Sequence, residues 1–397
     1  MSVGVCVINR NGIALAADSA GTFTGNKMVY NTVNKLFSLS TKNICGVITY
    51  GVLSIYNVSV EQIIKEFSSY LDQQEELGDF FEIIPCFQEF IRQNNSYYKF
   101  DVDETSFCHN LITALVEKWG NRVQAQIDAD DAENKINTII GELEALISST
   151  GKASNFDVSQ YIKNTYQSFY NQEISRITPE LSSYTTQIQR LWDSICSYFN
   201  LLLDNESKTG LFFAGYGTED AHPKYIEITL RNVIGGEIKF TQKDKCEESK
   251  KYAEIKPLAQ EDIIYTFCKG ISSDFISALP DKAISYVTEK IDALPDTFTA
   301  AQKDELRNAM SDCKAHMSKA IGDISRQKHI NPLLESVKLI TLSEMAFLAE
   351  NLVNITTLKR TYALDGNQQT VGGPTDVAIL SKGDGFMWVK QKTNLHN

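Results

Sequence analysis

The 397-residue sequence has no apolar run near the roughly 18 residues that span a bilayer, and its first residues lead us to expect no secretory leader. Its eight cysteines form no CxxC pair, which argues against a disulfide framework. The patterns GxSxG, GxxxxGKS/T and GxGxxG are also missing, so neither the common hydrolase elbow nor a phosphate-binding loop is indicated. We therefore expect a soluble cytoplasmic protein with reduced thiols and with no cofactor, metal or membrane partner.

Positive charge is also scarce. Lysine and arginine total 38 against 50 aspartates and glutamates, which gives a net charge of −12. A nucleic-acid partner held by a general basic surface is therefore not expected. Hydrophobic residues make up 43% of the chain and charged residues 22%, a composition typical of a globular protein.

The remaining sequence alternates between strand and helix patterns. Apolar runs at 3–8 and 13–17 flank an Asn-Gly turn and predict a hairpin. Further strands are predicted at 34–39, 44–49, 210–215, 225–230, 237–241, 375–381 and 386–391. The first two strand pairs are almost continuously apolar, which indicates a sheet covered on both faces.

Helical periodicity dominates residues 58–208 and 256–358, and we expect Gly120 to end one of these helices. The helices interrupt strands that need partners, so the order predicts one sandwiched domain with helical insertions.

Ser2 is the first residue that could carry chemistry. Removal of Met1 would give a serine with a free α-amine, whose pKa of about 8 lets it accept the hydroxyl proton near neutrality. The plain alternative is that many cytoplasmic proteins begin Met-Ser with no catalytic meaning.

Three further residues could support that serine. Asp18 follows the apolar strand 13–17, Lys35 begins the next strand, and Gly51 ends the one after it. A lysine beside an aspartate could lower the pKa of both the amine and the hydroxyl. A backbone N–H near Gly51 could face an oxyanion. From the residues alone, an ordinary surface pair and hairpin glycines explain the same pattern.

A family resemblance adds to this pattern. Ser2 precedes Asp18 by sixteen positions, Lys35 lies in the string Val33-Asn-Lys35-Leu36, and small residues fill Gly46–Gly51. These features resemble proteasome β-type subunits and the peptidase component of the bacterial HslVU protease, which are N-terminal nucleophile (Ntn) hydrolases. The strings 211–216, 223–228 and 370–379 are similar to later strands of that family, and Asp365 loosely matches its third acidic residue.

The resemblance implies an α+β fold, a four-layer αββα sandwich of the Ntn-hydrolase type. It covers about residues 2–56, 209–241 and 339–391. The expected organisation is a single domain over 1–397, with its core at about 2–120, 209–280 and 331–391. The helical insertions then lie at about 121–208 and 281–330. Two departures are that serine replaces the family's catalytic threonine, and that Val371 stands where the family has a serine before Gly-Gly.

The leading interpretation is an N-terminal serine hydrolase of amide bonds, a proteasome-like peptidase. Ser2 would be the nucleophile, Lys35 the electrostatic activator, Asp18 its orienting partner and Gly51 the oxyanion donor, with Asp365 as a further acidic residue. The partners implied are a peptide or protein substrate, other copies of the chain in a homo-oligomer and, by family analogy, an ATP-dependent unfoldase. The alternative is a catalytically inactive scaffold of the same fold that binds partners through its helical insertions.

Overall fold

The computed structural model describes residues 2–23, 28–127, 130–149, 154–205, 209–246, 253–295, 297–362 and 371–392. Within these residues the chain combines antiparallel sheets with long helical stretches and is an α+β protein. None of the described helices has the length and apolarity needed to cross a membrane.

Fourteen strands occur in the described residues. They are β1 Val3–Asn9, β2 Gly12–Ala17, β3 Gly21–Phe23, β4 Met28–Tyr30, β5 Leu36–Ser38, β6 Ile44–Gly51, β7 Ser54–Ile55, β8 Val58–Ser59, β9 Thr209–Tyr216, β10 Lys224–Ile234, β11 Glu237–Lys245, β12 Ala253–Ala259, β13 Asp376–Ser381 and β14 Gly385–Lys390.

The helices follow the two regions that the periodicity predicts. They are α1 Val60–Leu71, α2 Ile83–Gln93, α3 Phe100–Gln124, α4 Ala132–Ser149, α5 Ser159–Ile177, α6 Thr185–Asn205, α7 Asp262–Lys269, α8 Ser273–Asp292, α9 Ala300–Ser325, α10 Asn331–Val337 and α11 Leu342–Tyr362. Two short 3-10 segments, Phe80–Glu82 and Pro179–Ser183, and a π-helical turn at Arg326–Ile330 complete them.

The described chain forms two compact units. The first takes in the described parts of Met1–Leu36, Ala221–Pro223 and Glu247–Asn397. Its five-stranded sheet has the order β12-β1-β2-β13-β14, with every neighbouring pair antiparallel. Helix α11 packs on β1, β2 and β13. All residues of those three strands are buried on both faces, as the apolar runs predict for β1 and β2.

The second unit takes in Phe37–Asp220 and Lys224–Cys246. Its sheet has the order β11-β10-β9-β6-β5, and one face of it shares a hydrophobic core with α1 and α2. Helices α3 to α6 form a separate core built around large aromatic side chains, among them Trp119, Tyr170, Trp192 and Phe199. The helical region at 100–205 is therefore folded around its own interior.

Two sequence expectations are wrong. Helix α3 runs through Gly120 to Gln124. Gly120 is buried, and the side chains of Ile174 and Thr178 lie at ordinary contact distances of 3.5 Å and 3.4 Å from where its Cβ would be. The glycine lowers the intrinsic helix preference at this position but does not end the helix.

The second error concerns residues 256–259, which were expected to be helical. They belong to strand β12, which pairs with β1. Pro257 weakens a strand pattern, but β12 is the edge strand of its sheet, where proline is tolerated.

The predicted boundaries of the core and insertions fall inside two helices. Helix α3 crosses the boundary at 120/121, and α8 crosses the one at 280/281. The single-domain organisation stays a prediction.

Candidate active site

Ser2 lies directly before β1 and is only 3% exposed. Its carbonyl accepts a hydrogen bond from the N–H of Gln260 at 3.3 Å. That bond continues the pairing of β1 with β12 beyond the last matched residues, Val3 and Ala259. The backbone of Ser2 is therefore fixed on its carbonyl side by the edge strand of the sheet.

Asp18 is brought to the start of β1 by the hairpin register. Gly4 pairs with Ala17, the last residue of β2, so the residue that follows β2 lies opposite Val3. The backbone N–H of Asp18 donates to the Val3 carbonyl at 3.1 Å, and the Val3 N–H donates to Asp18 Oδ1 at 2.9 Å. The sixteen-residue spacing thus places the carboxylate beside the residue that follows Ser2.

Lys35 completes this arrangement. Its Nζ donates to Asp18 Oδ1 at 2.6 Å, and the two side chains are 1% and 0% exposed. One carboxylate oxygen therefore joins the ammonium of Lys35 to the backbone directly after Ser2. Burial lowers the pKa of Lys35, the charge and hydrogen bond of Asp18 oppose that effect, and the charge of Lys392 adds to it.

The other oxygen of Asp18 binds two backbone groups. Oδ2 accepts the N–H of Ala20 at 3.3 Å and the N–H of Gly372 at 3.2 Å. The carbonyl of Gly372 in turn accepts the N–H of Ser19 at 3.1 Å, and Ser19 Oγ donates to the Pro374 carbonyl at 2.7 Å. The Gly-Gly segment before β13 is therefore attached to the residues that follow β2.

The arrangement buries the ion pair between the Lys35 ammonium and the Asp18 carboxylate. Asp18 accepts hydrogen bonds on both oxygens, and the ammonium of Lys35 is held against Oδ1. A buried ammonium favours the deprotonated forms of amines and hydroxyls that lie close to it.

Neither the models of known protein families nor the curated proteins include a match to this chain. Among solved structures, the chain is similar to the Anbu (Gly-1) mutant from Hyphomicrobium sp. strain MC1. The TM-score is 0.38 and the sequence identity 9%, and the match covers 99% of this chain and 86% of that one. At this similarity neither a fold family nor an activity follows.

The arrangement around Asp18 includes neither of the other two predicted site residues, Gly51 and Asp365. Gly51 is the exposed last residue of β6 in the second unit, and its φ of 83° is one that glycine adopts readily. It pairs with Thr209 in the β6–β9 ladder. Asp365 lies outside the described residues. The roles assigned to Gly51 and Asp365 stay predictions.

The sequence patterns missed two charged residues of the first unit, Asp376 and Lys392. Their side chains are 4% and 5% exposed, and they form an ion pair. Lys392 also donates to the carbonyl of Val33, 359 positions away, at 3.1 Å. No motif or spacing could have indicated a contact over that separation, and the only local signal was an aspartate at the head of an apolar strand.

Proposed function

We propose that this chain is an N-terminal nucleophile hydrolase that cleaves amide bonds in peptides or proteins. Ser2 is the nucleophile once Met1 has been removed. The observation that carries the proposal is the buried Asp18–Lys35 pair, whose shared oxygen also binds the backbone N–H directly after Ser2. An ion pair buried to this degree beside a serine that can become N-terminal has the chemistry that such a nucleophile needs.

In the proposed reaction the α-amine of Ser2 takes the hydroxyl proton while Oγ attacks the substrate carbonyl. The new C–O bond forms and the carbonyl oxygen becomes an oxyanion. The C–N bond then breaks, and the leaving amine takes the proton back from the α-ammonium. Water, deprotonated by the same amine, hydrolyses the ester and restores the free serine.

Lys35 acts through its charge and does not transfer a proton in this scheme. A positive charge near the amine and the hydroxyl favours their unprotonated forms, which are the reactive ones. Asp18 holds Lys35 in place through the hydrogen bond from Nζ to Oδ1.

The finer fold and the assembly belong to the same proposal. Each compact unit has a five-stranded sheet, and the four-layer αββα arrangement rests on the family resemblance. Self-association and an ATP-dependent unfoldase partner rest on the family resemblance alone, and static light scattering at micromolar concentration tests the first of them.

One observation favours the alternative of a non-catalytic scaffold. Helices α3 to α6 pack around their own core, so this region could hold its shape as a binding surface without contributing to catalysis. The two proposals differ in whether Ser2 reacts.

The test is covalent labelling of Ser2 by a fluorophosphonate probe. The Ser2 oxygen would bond to phosphorus, fluoride would leave, and the hydroxyl proton would pass to the α-amine. Intact-mass measurement first determines whether Met1 is absent, and peptide mapping then locates the label. We expect Ser2→Ala to abolish labelling and Ser2→Thr to keep it, since threonine retains both groups.

Ser19→Ala is the matched control, because Ser19 is a neighbouring buried serine whose hydroxyl is occupied by the Pro374 carbonyl. It should label as the wild type does. A chain free of Met1 that takes no label at Ser2 would support the scaffold instead.

A further inference from the structure

A second buried lysine–aspartate pair lies in the first unit. The side chains of Lys392 and Asp376 are 5% and 4% exposed and form an ion pair. The backbone N–H of Lys392 also donates to Asp376 Oδ1 at 2.7 Å. Because Lys392 binds the carboxylate through both its backbone and its side chain, its position is fixed more firmly than that of a lysine held by one contact.

This pair is joined to the segment that carries Lys35. Lys392 Nζ donates to the Val33 carbonyl at 3.1 Å, two residues before Lys35. The N–H of Val33 donates to the Ser19 carbonyl at 3.0 Å. Val33 is therefore held on one side by the residue after Asp18 and on the other by Lys392.

The two aspartates lie at the same end of the sheet. Asp376 begins β13 and pairs with Ala17 of β2, the residue before Asp18. Neighbouring strands thus each present an aspartate with its own lysine, and the segment 33–35 contacts both pairs. Lys392 is consequently the second positive charge of this sheet end.

We propose that Lys392 is a positioning residue of the site: it anchors the Val33–Lys35 segment and places a second positive charge against Lys35. This inference rests on the proposed function. Lys392 acts through Lys35 and touches neither Ser2 nor a substrate. Nothing in the family resemblance assigned it a role.

Lys392 should also affect the pKa of Lys35. Burial is the first cause that lowers its pKa, Asp18 opposes it, and the positive charge of Lys392 lowers the pKa further. Lys35 should therefore lose its proton at a lower pH with Lys392 present than without it. If the ammonium of Lys35 activates Ser2, labelling must decline at alkaline pH where Lys35 becomes neutral.

The first experiment measures the rate of Ser2 labelling by the fluorophosphonate between pH 6 and 11. In Lys392→Met we expect a maximum rate about tenfold lower, since the segment 33–35 loses an anchor. We also expect the alkaline decline to move to higher pH. Lys392→Arg keeps the charge and should keep the wild-type alkaline decline. The comparison separates loss of the charge from a general folding defect caused by a substitution at this position.

Lys390→Met is the matched control. Lys390 is the last residue of β14, two positions before Lys392. Its side chain is 52% exposed and pairs with Glu350. This variant should match the wild type in both rate and profile. A Lys392→Met profile that drops in rate without shifting would mean a purely structural role and overturn the inference.

The second experiment does not depend on activity. Lysine labelled with ¹³C at Cε allows the titration of each side chain to be followed by NMR, and the signal missing from Lys35→Arg identifies Lys35. We expect Lys35 to titrate at higher pH in Lys392→Met and at the wild-type pH in Lys390→Met. An identical Lys35 titration in all three proteins would overturn the role of Lys392, whereas a wild type that never labels at Ser2 would overturn the proposed function.

Discussion

The two members of the Asp18–Lys35 pair should differ in how much stability each provides. Asp18 accepts hydrogen bonds from three backbone N–H groups, those of Val3, Ala20 and Gly372, and from Lys35. Asp18→Ala leaves all of these donors without that acceptor. Lys35→Met removes only one of the four contacts, and the carboxylate keeps its backbone donors.

The expected magnitudes follow from this count. An orphaned buried donor costs about 1–3 kcal/mol, so three of them together with an unpaired lysine should lower the free energy of unfolding by about 5 kcal/mol. Breaking a buried ion pair at one partner costs about 3–5 kcal/mol. The three remaining donors put Lys35→Met at the lower end of that range, at about 3 kcal/mol.

Asp18→Asn provides a sharper comparison than alanine. Its amide oxygen can replace only one carboxylate oxygen, because the amide nitrogen must then face donors. With the oxygen toward Val3, the NH₂ group meets the N–H groups of Ala20 and Gly372. We therefore expect Asp18→Asn to be destabilised by at least about 2 kcal/mol in spite of its nearly unchanged shape.

Urea unfolding followed by circular dichroism measures these differences, with Ser19→Ala as a control expected to lose about 1 kcal/mol. The reasoning is refuted if Lys35→Met proves as destabilising as Asp18→Ala. An Asp18→Asn variant as stable as the wild type would also contradict the expected roles of the two carboxylate oxygens.

The pH dependence gives an independent check on Lys35. Its pKa is lowered in the folded protein, mainly by burial, while in the unfolded chain it is about 10.4. Between those two values the unfolded chain binds more protons, so the free energy of unfolding rises with pH. Relative to Lys35→Met, the wild type should gain stability as pH approaches about 10.4, and a loss over that range would contradict the lowered pKa.

Two predictions concern the second unit. A Cβ at Gly210 would lie 2.0 Å from Cζ of Tyr50, whose hydroxyl donates to the fully buried Glu227. In urea unfolding, Gly210→Ala should therefore lower the free energy of unfolding by about 2–4 kcal/mol. Gly141 lies in helix α4 with nothing within 4 Å of the site of a Cβ, so Gly141→Ala should raise it by about 0.5–1 kcal/mol. Lys239 is fully buried and donates to Ser154, Phe156 and Asn200 at 2.6–2.8 Å, so Lys239→Met should cost about 3–5 kcal/mol, and the half-exposed Lys163→Met less than about 1 kcal/mol. Equal changes in stability for the two glycine variants would refute the steric explanation, and equal losses for the two lysine variants would refute the explanation from burial.

Local signals made part of this structure predictable. The Asn-Gly turn and the apolar runs around it set the register of β1 and β2, and that register alone brings Asp18 back to Val3. The helical regions followed from periodicity. The helix end expected at Gly120 is wrong because α3 is held by tertiary packing, including its contacts with α5, which outweighs the low helix propensity of a single glycine.

Contacts between distant segments could not be predicted in the same way. Strand β12 carries a proline and a mixed pattern, and it is a strand because β1 offers it an edge. The bond from Lys392 to Val33 depends on how the end of β14 returns past the segment 33–35. Neither depends on a local preference, so no pattern in the chain indicates them.

Burial of an ion pair does not by itself distinguish a site from a structural brace. The Lys224–Asp220 and Lys239–Asp204 pairs are also buried. Lys239 binds the segment 154–156 and α6 at the same time, and Asp220 accepts the backbone N–H groups of Phe80 and Gly217. Connecting segments in this way is enough to explain both.

The pair at Asp18 differs in what it connects. Its shared oxygen joins the ammonium of Lys35 to the backbone after Ser2, and a second lysine–aspartate pair adjoins it through Val33. Apolar side chains of similar volume would stabilise a sheet end at least as well, because each buried ion carries a desolvation cost of several kcal/mol. The position of the two pairs beside Ser2, and not their burial alone, is what the proposed chemical role depends on. The Lys35 titration tests the charges directly, before any substrate is known.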